Sequence, residues 1–493
     1  MTFPDDTSKV YTTDKDGLIL IKDVPYGTYT IQEVNAPDIY VPDTKIETVT
    51  LDDENSDGQT ITFHKVNKLK KGYIEVHKQD TSDGTGIKDV VLQLYSKKDD
   101  SLVETLITDE VGYAKSSLIP LGSYYIVEKG ANNGIIIDPE AKDIELTDSQ
   151  LDGDYYYTNV YLKNDVVKAK VRIYKECDVV KGFDVDTMTF EYEKARIGGM
   201  KFQIIASEDI KDLRNDEVIY SKGEIVYSGV CDNDGSKYVS LPVGDYIVKE
   251  VENPEGTILN SKEYSIHLSA NDNVTQVIEE TVVIVNERQC IDITVNKKDD
   301  QGLGLSGSVF GVYTKDDFLD ASGNIVVEKN TMVGMIEPSP SGSISDLPYG
   351  QYYIKEIKAP KGFYLDDMQY DVCVEFDKNA QGYQKTLDIV NVAKKGNIQV
   401  YKYNPINQLN YPIEGVEFSV KASQDIINPT DGKVLFAKGY DFGTIVTNNQ
   451  GIAVIEDLYP GEYVLVETHN PHLGYILDST EHKVILKEDE TVD

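Results

Sequence analysis

The chain has 493 residues, 85 acidic against 48 basic side chains, and a formal net charge of −37. Such a surface repels nucleic acid and anionic membranes and favours solubility. No apolar run is long enough to span a bilayer, and no signal peptide is visible.

Taken in order, the elements are short alternating runs such as "GYIEVHK", "KVRIYK", "CIDITVNK" and "GNIQVYK", separated by Gly, Asp and Asn clusters. Helical periodicity is nearly absent, so the pattern predicts an all-β array of sandwich domains. One phrase recurs five times, ending at Glu33, Glu128, Glu250, Glu356 and Glu467, each six residues after a glycine. Its turns fit Pro25-Tyr26-Gly27 and Pro348-Tyr349-Gly350 as type I, and Pro460-Gly461 as type II with positive φ at the glycine. Intervals between successive glutamates run from 95 to 122 residues, the size of a small domain with its own core.

A second repeat marks the joins. Asn67, Asn164, Asn286 and Asn391 each precede a lysine (Lys78, Lys175, Lys297, Lys402) by eleven residues. This reads as last strand, short connector and first strand of the next domain, with connectors too strand-like for a flexible linker. The expected boundaries are a partial domain 1–67, then 68–164, 165–286, 287–391 and 392–493. The 165–286 domain carries an extra segment, about Glu176 to Gly199. Its "ASEDI…GEIVYSG" resembles "ASQDI…AKGYDFG" of the last piece. The first piece lacks an opening lysine strand and the last a closing asparagine strand, so both ends read as incomplete.

The alternation sets an unusual constellation on apolar faces. Ile74–Val76–Lys78, Tyr124–Ile126–Glu128 and Val160–Leu162–Asn164 each share a face. The next domain repeats this with Lys175, Glu250 and Asn286, and the third with Lys297, Glu356 and Asn391. Burial favours a neutral amine and a protonated carboxyl. A neutral lysine is a nucleophile, and a carboxyl acid can polarise an asparagine amide and relay protons. Attack on the amide carbonyl would release ammonia and leave an isopeptide bond. Separately, each residue has a plainer reading: a snorkelling lysine, a turn asparagine, an exposed glutamate. Joint recurrence in register favours the chemistry.

Tyr463-Val-Leu465-Val-Glu467-Thr468-His469-Asn470-Pro471-His472-Leu473-Gly474-Tyr475 is similar to the "YxLxETxAPxGY" pattern of Gram-positive surface proteins, and Tyr352 through Phe363 is a looser version. Over essentially its whole length the chain resembles tandem B-type repeat domains of collagen-adhesin and major-pilin type, also called prealbumin-like. The resemblance implies inverse immunoglobulin-like sandwiches in an elongated rod, with intramolecular bonds Lys78–Asn164, Lys175–Asn286 and Lys297–Asn391. Glu128, Glu250 and Glu356 would assist. Glu33 with Asn67, and Lys402 with Glu467, would be half-sites whose partners lie outside the chain. The loop "EKGANNG" departs from the pattern, and neither a sortase sorting signal nor a pilin-type lysine motif is found.

The expected function is a structural stalk of a bacterial cell-surface adhesin or pilin-like protein: extracellular, monomeric, without cofactor or metal, and not a turnover enzyme. Host matrix or another surface ligand would be met through other parts of the parent protein, with no membrane insertion here. One alternative is a module that binds host matrix or glycan through its 34 tyrosines. A carbohydrate-active enzyme is the weaker one, because an active site rarely recurs in every domain. Acidic loops such as "LDDENSDGQ" lack calcium-loop spacing. Cys177, Cys231, Cys290 and Cys373 show no Cys-x-x-Cys spacing, which argues against a zinc site or disulfide framework and leaves a single disulfide open.

Overall fold

A computed structural model describes residues 1–54, 58, 60–406 and 409–487. Residues 55–57 and 59, in the acidic loop noted above, lie outside the described residues. Among the described residues there are strands and no helix, as the alternation requires.

Each complete unit is two facing sheets. In the first, Val91–Ser96 and Gly122–Gly130 are the middle strands of a four-stranded sheet, flanked by Leu102–Ile107 and Lys142–Leu146. The opposing sheet centres on Lys71–Asp80, which pairs in parallel with the last strand, Tyr155–Val166. Inward residues of both sheets, among them Ile74, Val76, Leu92, Leu94, Tyr124 and Ile126, form one core. The second and third units repeat the plan, with Lys168–Asp184 parallel to Val277–Asn286 and Cys290–Asp299 parallel to Tyr383–Asn391. In the last piece Gly396–Tyr401 pairs only with Ile452–Leu458 among the described residues. Residues 1–54 contribute the pair Gly27–Ile31 with Glu47–Leu51.

The parallel pairing of first and last strands matters most for the site. Leu162 lies opposite Lys78, Ile284 opposite Lys175, and Ile389 opposite Lys297. Each asparagine is therefore two residues further along the neighbouring strand and, with period two, on the same face as the lysine.

The recurrent tyrosine has a job that its apolar position did not reveal. The hydroxyls of Tyr29, Tyr124, Tyr246, Tyr352 and Tyr463 each donate to the carbonyl four residues earlier, at 2.6–2.8 Å. The ring fills the core while its polar tip staples the preceding turn. One glycine differs from expectation. Gly461 has no positive φ; instead the Ile426 side chain occupies the space a Cβ would need. Phe318 crowds Gly350 and Ile210 crowds Gly244 in the same way. Close approach alone demands glycine at 350 and 461, whereas Gly244 also has a positive φ of 149°.

All four cysteines are free thiols. The units meet through built contacts. Arg214 of the second unit donates to Asp80 (3.1 Å) and Asp83 (2.8 Å) of the first. Tyr349 of the third unit donates its hydroxyl to Glu255 of the second at 3.0 Å. Thr430 of the last piece donates to Asp299 at 2.5 Å.

Candidate functional site

The structure brings the predicted triads together. Lys78, Lys175 and Lys297 are at most 1% exposed, an extreme burial for this residue type. Glu128, Glu250, Glu356, Asn164, Asn286 and Asn391 are buried with them. In the first unit Lys78 Nζ donates to Asn164 Oδ1 (2.5 Å) and touches Glu128 Oε1. Asn164 Nδ2 donates to Glu128 Oε2 at 2.9 Å. A single carboxyl thus bridges the amine and the amide nitrogen that would leave.

In the third unit Lys297 Nζ contacts Asn391 Oδ1, and Glu356 Oε1 stands 3.7 Å from Nζ. Asn391 Nδ2 donates to both Glu356 oxygens (3.1 and 3.0 Å) and to the Tyr364 carbonyl (3.0 Å). The second unit is looser. Asn286 Nδ2 donates to Glu250 Oε1 at 2.8 Å, and Lys175 Nζ is 3.9 Å from that oxygen. Lys175 Nζ and Asn286 Oδ1 are buried without a hydrogen-bond partner among the described residues.

Electrostatics follow burial. Loss of solvent pushes Lys78 and Lys297 below the ordinary lysine range, opposed by the adjacent glutamate and by Asp138 or Asp366. Lys175 falls to about 8 for the same reason. Burial raises Glu250, against the pull of Lys175 and the hydrogen bond from Asn286. Both shifts move toward a free amine beside a carboxylic acid.

Two features of the glutamate were not foreseen. A β-bulge follows it in four of the five copies: Glu128, Glu250, Glu356 and Glu467 face Leu92, Phe202, Phe310 and Phe418, and the register shifts at the next pair. Its second oxygen is held by the backbone N–H ten residues on: Asp43 for Glu33 (2.7 Å), Asp138 for Glu128 (3.0 Å), Asn260 for Glu250 (3.0 Å) and Asp366 for Glu356 (2.8 Å). The four residues share a signal that the sequence did carry. Each is an Asp or Asn that caps its own turn by accepting the N–H two positions later.

The half-sites form as far as their residues allow. Asn67 Nδ2 donates to Glu33 Oε1 (2.7 Å), and Lys402 Nζ to Glu467 Oε2 (2.7 Å). Glu467 is 2% exposed and also accepts from Asn470 Nδ2 at 3.2 Å. Glu33 is only half-buried, a departure from the other four. It lies two residues beyond the end of the strand Gly27–Ile31.

The model of the SpaA prealbumin-like fold domain matches residues 2–67, 72–161, 188–281, 291–391 and 396–493. The chain belongs to this prealbumin-like family. No curated protein matches it. Among solved structures it is similar to the Bacillus anthracis TIE protein, with 20% identity and a TM-score of 0.47, over 66% of this chain and 52% of that one. It thus spans about half the length of that protein. BcpA, the major pilin subunit of Bacillus cereus, shares 18% identity at a TM-score of 0.32, over 66% of this chain and 100% of that one. A streptococcal ancillary pilin shares 19% at 0.25, over 66% and 99%. Five prealbumin-like matches follow one another along this chain, and the four buried glutamates and half-buried Glu33 fall one to each.

Proposed function

We propose that this chain is a stalk segment of a Gram-positive surface adhesin or pilin-like protein, its domains closed by self-formed Lys–Asn isopeptide bonds. The observation that carries this is the contact geometry at Lys78: one buried carboxyl touches both the attacking amine and the amide nitrogen that must leave. In the reaction the neutral Nζ attacks Cγ of the asparagine. The new N–C bond forms, the Cγ–Nδ2 bond breaks, and a proton passes through the glutamate from Nζ to Nδ2, which departs as ammonia. The folded core supplies proximity, and the raised Glu250 supplies an acid.

The mechanical consequence follows from the parallel pairing. Tension enters the first unit near Lys71, runs along one strand to Lys78, crosses to Asn164 and leaves. The chain between them, a separation of 86 residues, is bypassed. Closing such a loop stabilises the fold by about 4–5 kcal/mol on the chain-entropy model. A stalk outside the cell is where such a bond has most use, which supports a surface location. Intact mass of the purified chain tests the reading: three missing ammonia equivalents are expected, and an unshifted mass would sink it.

A further inference from the structure

The extra segment of the second unit is an arm that reaches the third. Strand Lys168–Asp184 does not stop after Lys175; it continues, turns, and returns as Thr189–Arg196. The resulting hairpin has an apolar face. Val180 pairs with Tyr192 and Phe183 with Phe190, while Lys181, Glu191 and Glu193 face solvent. Phe183 and Phe190 pack against the core of the third unit. The rings run in a chain from Phe183 to Phe190 (5.0 Å), to Phe318 (5.5 Å), and to the wholly buried Tyr352 (5.8 Å). The receiving surface is the small hairpin Phe318–Leu319 with Ile325–Val327.

Polar contacts lock the root of the arm. The Arg288 guanidinium lies over the Tyr192 ring at 4.2 Å while gripping Asp346 with both carboxylate oxygens. Burial pushes the Tyr192 hydroxyl up to about 12, so it stays neutral within this contact. The other joins are built without a hairpin: the Lys88 and Gly134 N–H groups donate to the Arg214 and Asp272 carbonyls, Leu213 packs against the first unit's core, and Leu305 and Phe363 of the third unit lie in the core of the last piece.

We propose that this arm is a docking element whose partner is the following domain of the same chain: it completes that domain's core, and the second and third units unfold as one block. Aromatic rings bury large areas and pair in preferred geometries, and a core that loses the rings packed against it should open more easily. The proposal does not depend on the isopeptide bonds, which tie strands within a unit.

Hydrogen exchange on the full chain tests it. Phe190→Ala should speed exchange in peptides covering residues 318–327 by roughly tenfold, the factor that ~1.4 kcal/mol of lost packing produces. Peptides of the first unit, such as 91–107, should not change, and Glu191→Lys on the solvent face should leave both alone. Calorimetry of the same variant should split one shared transition into two. Should Phe190→Ala fail to fold, Phe190→Leu serves the same measurement with a smaller expected increase. Unchanged exchange at 318–327 in a folded Phe190 variant would overturn the proposal, as would separate melting of the two units in the parental chain. Because the ammonia deficit is read independently by mass, loss of the arm's effect and loss of the cross-links are distinguishable.

Discussion

The sites at Lys78 and Lys175 hold the same three side chains in the same strand register, yet their contacts differ. Lys78 Nζ touches both Glu128 and Asn164. Lys175 Nζ has no hydrogen-bond partner among the described residues, nor has Asn286 Oδ1. Their charge environments also differ, beginning ten residues after the glutamate. The first unit has Asp138 there, whose charge helps to hold the Lys78 proton. The second has Asn260, which supplies the same backbone N–H but no charge. Two residues after the lysine, buried Asp80 is replaced by buried Cys177. Lys175 is therefore the amine with the weakest hold on its proton, lying at about 8. The comparison teaches that a shared strand register gathers the three side chains while their neighbours tune the protonation of the amine.

The largest way to break the comparison is to remove the carboxyl. Glu128→Ala, Glu250→Ala and Glu356→Ala should each restore one ammonia's mass and lower that unit's stability by about 4–5 kcal/mol, roughly 20 °C at the slope of a domain this size. Mass spectrometry with calorimetry reads both, and an unchanged mass deficit would refute the assigned role.

A second experiment uses pH. In Asn286→Ala the lysine stays an amine, with a folded value of about 8 against 10.5 ordinarily. Between these values the unfolded chain binds more protons, so stability should rise with pH across that window, and below it the burial penalty stands in full. Glu250, raised above 4.5, acts in the opposite sense and at acidic pH. Burial raises Cys177 and Cys231 beside the lysine to about 11, which lowers stability above pH 9 in parent and variant alike, so denaturant midpoints in Asn286→Ala should climb through the alkaline window relative to those of the cross-linked parent. A variant profile parallel to the parent's would remove the neutral-amine argument.

Smaller still is the exchange of the capping residues. Asn260→Asp should raise the Lys175 value and slow bond formation during refolding near neutral pH, up to tenfold for a one-unit shift. Asp138→Asn should act in the opposite direction at Lys78. A mass-resolved time course measures both, and equal rates would show that the aspartate is a spectator. The smallest effect is expected from Tyr246→Phe, which loses one hydrogen bond to the Pro242 carbonyl and about 1 kcal/mol.

Much of the site was legible because a strand's period is two. Lys78, Glu128 and Asn164 betray themselves by standing where an apolar residue should, and repetition in three domains turns an oddity into a pattern. The bulge after the glutamate was not legible, since it is a backbone event without a residue signature. The N–H of Asp138, Asn260 or Asp366 escaped for the same reason, although the Asp/Asn at that spacing was there to be read. Gly461 misled because a glycine looks alike whether it serves a left-handed turn or makes room for Ile426.

By itself the sequence determined the all-β class, the tandem repetition and the identity of the buried triads, because alternation and burial are written in side-chain polarity. Tertiary structure alone decided that first and last strands run side by side and parallel, which puts lysine and asparagine within reach. It also decided that the segment after Lys175 is an arm rather than a loop. Phe183 and Phe190 are apolar in any context; only the fold sets Phe190 against Phe318, more than a hundred residues away in the chain.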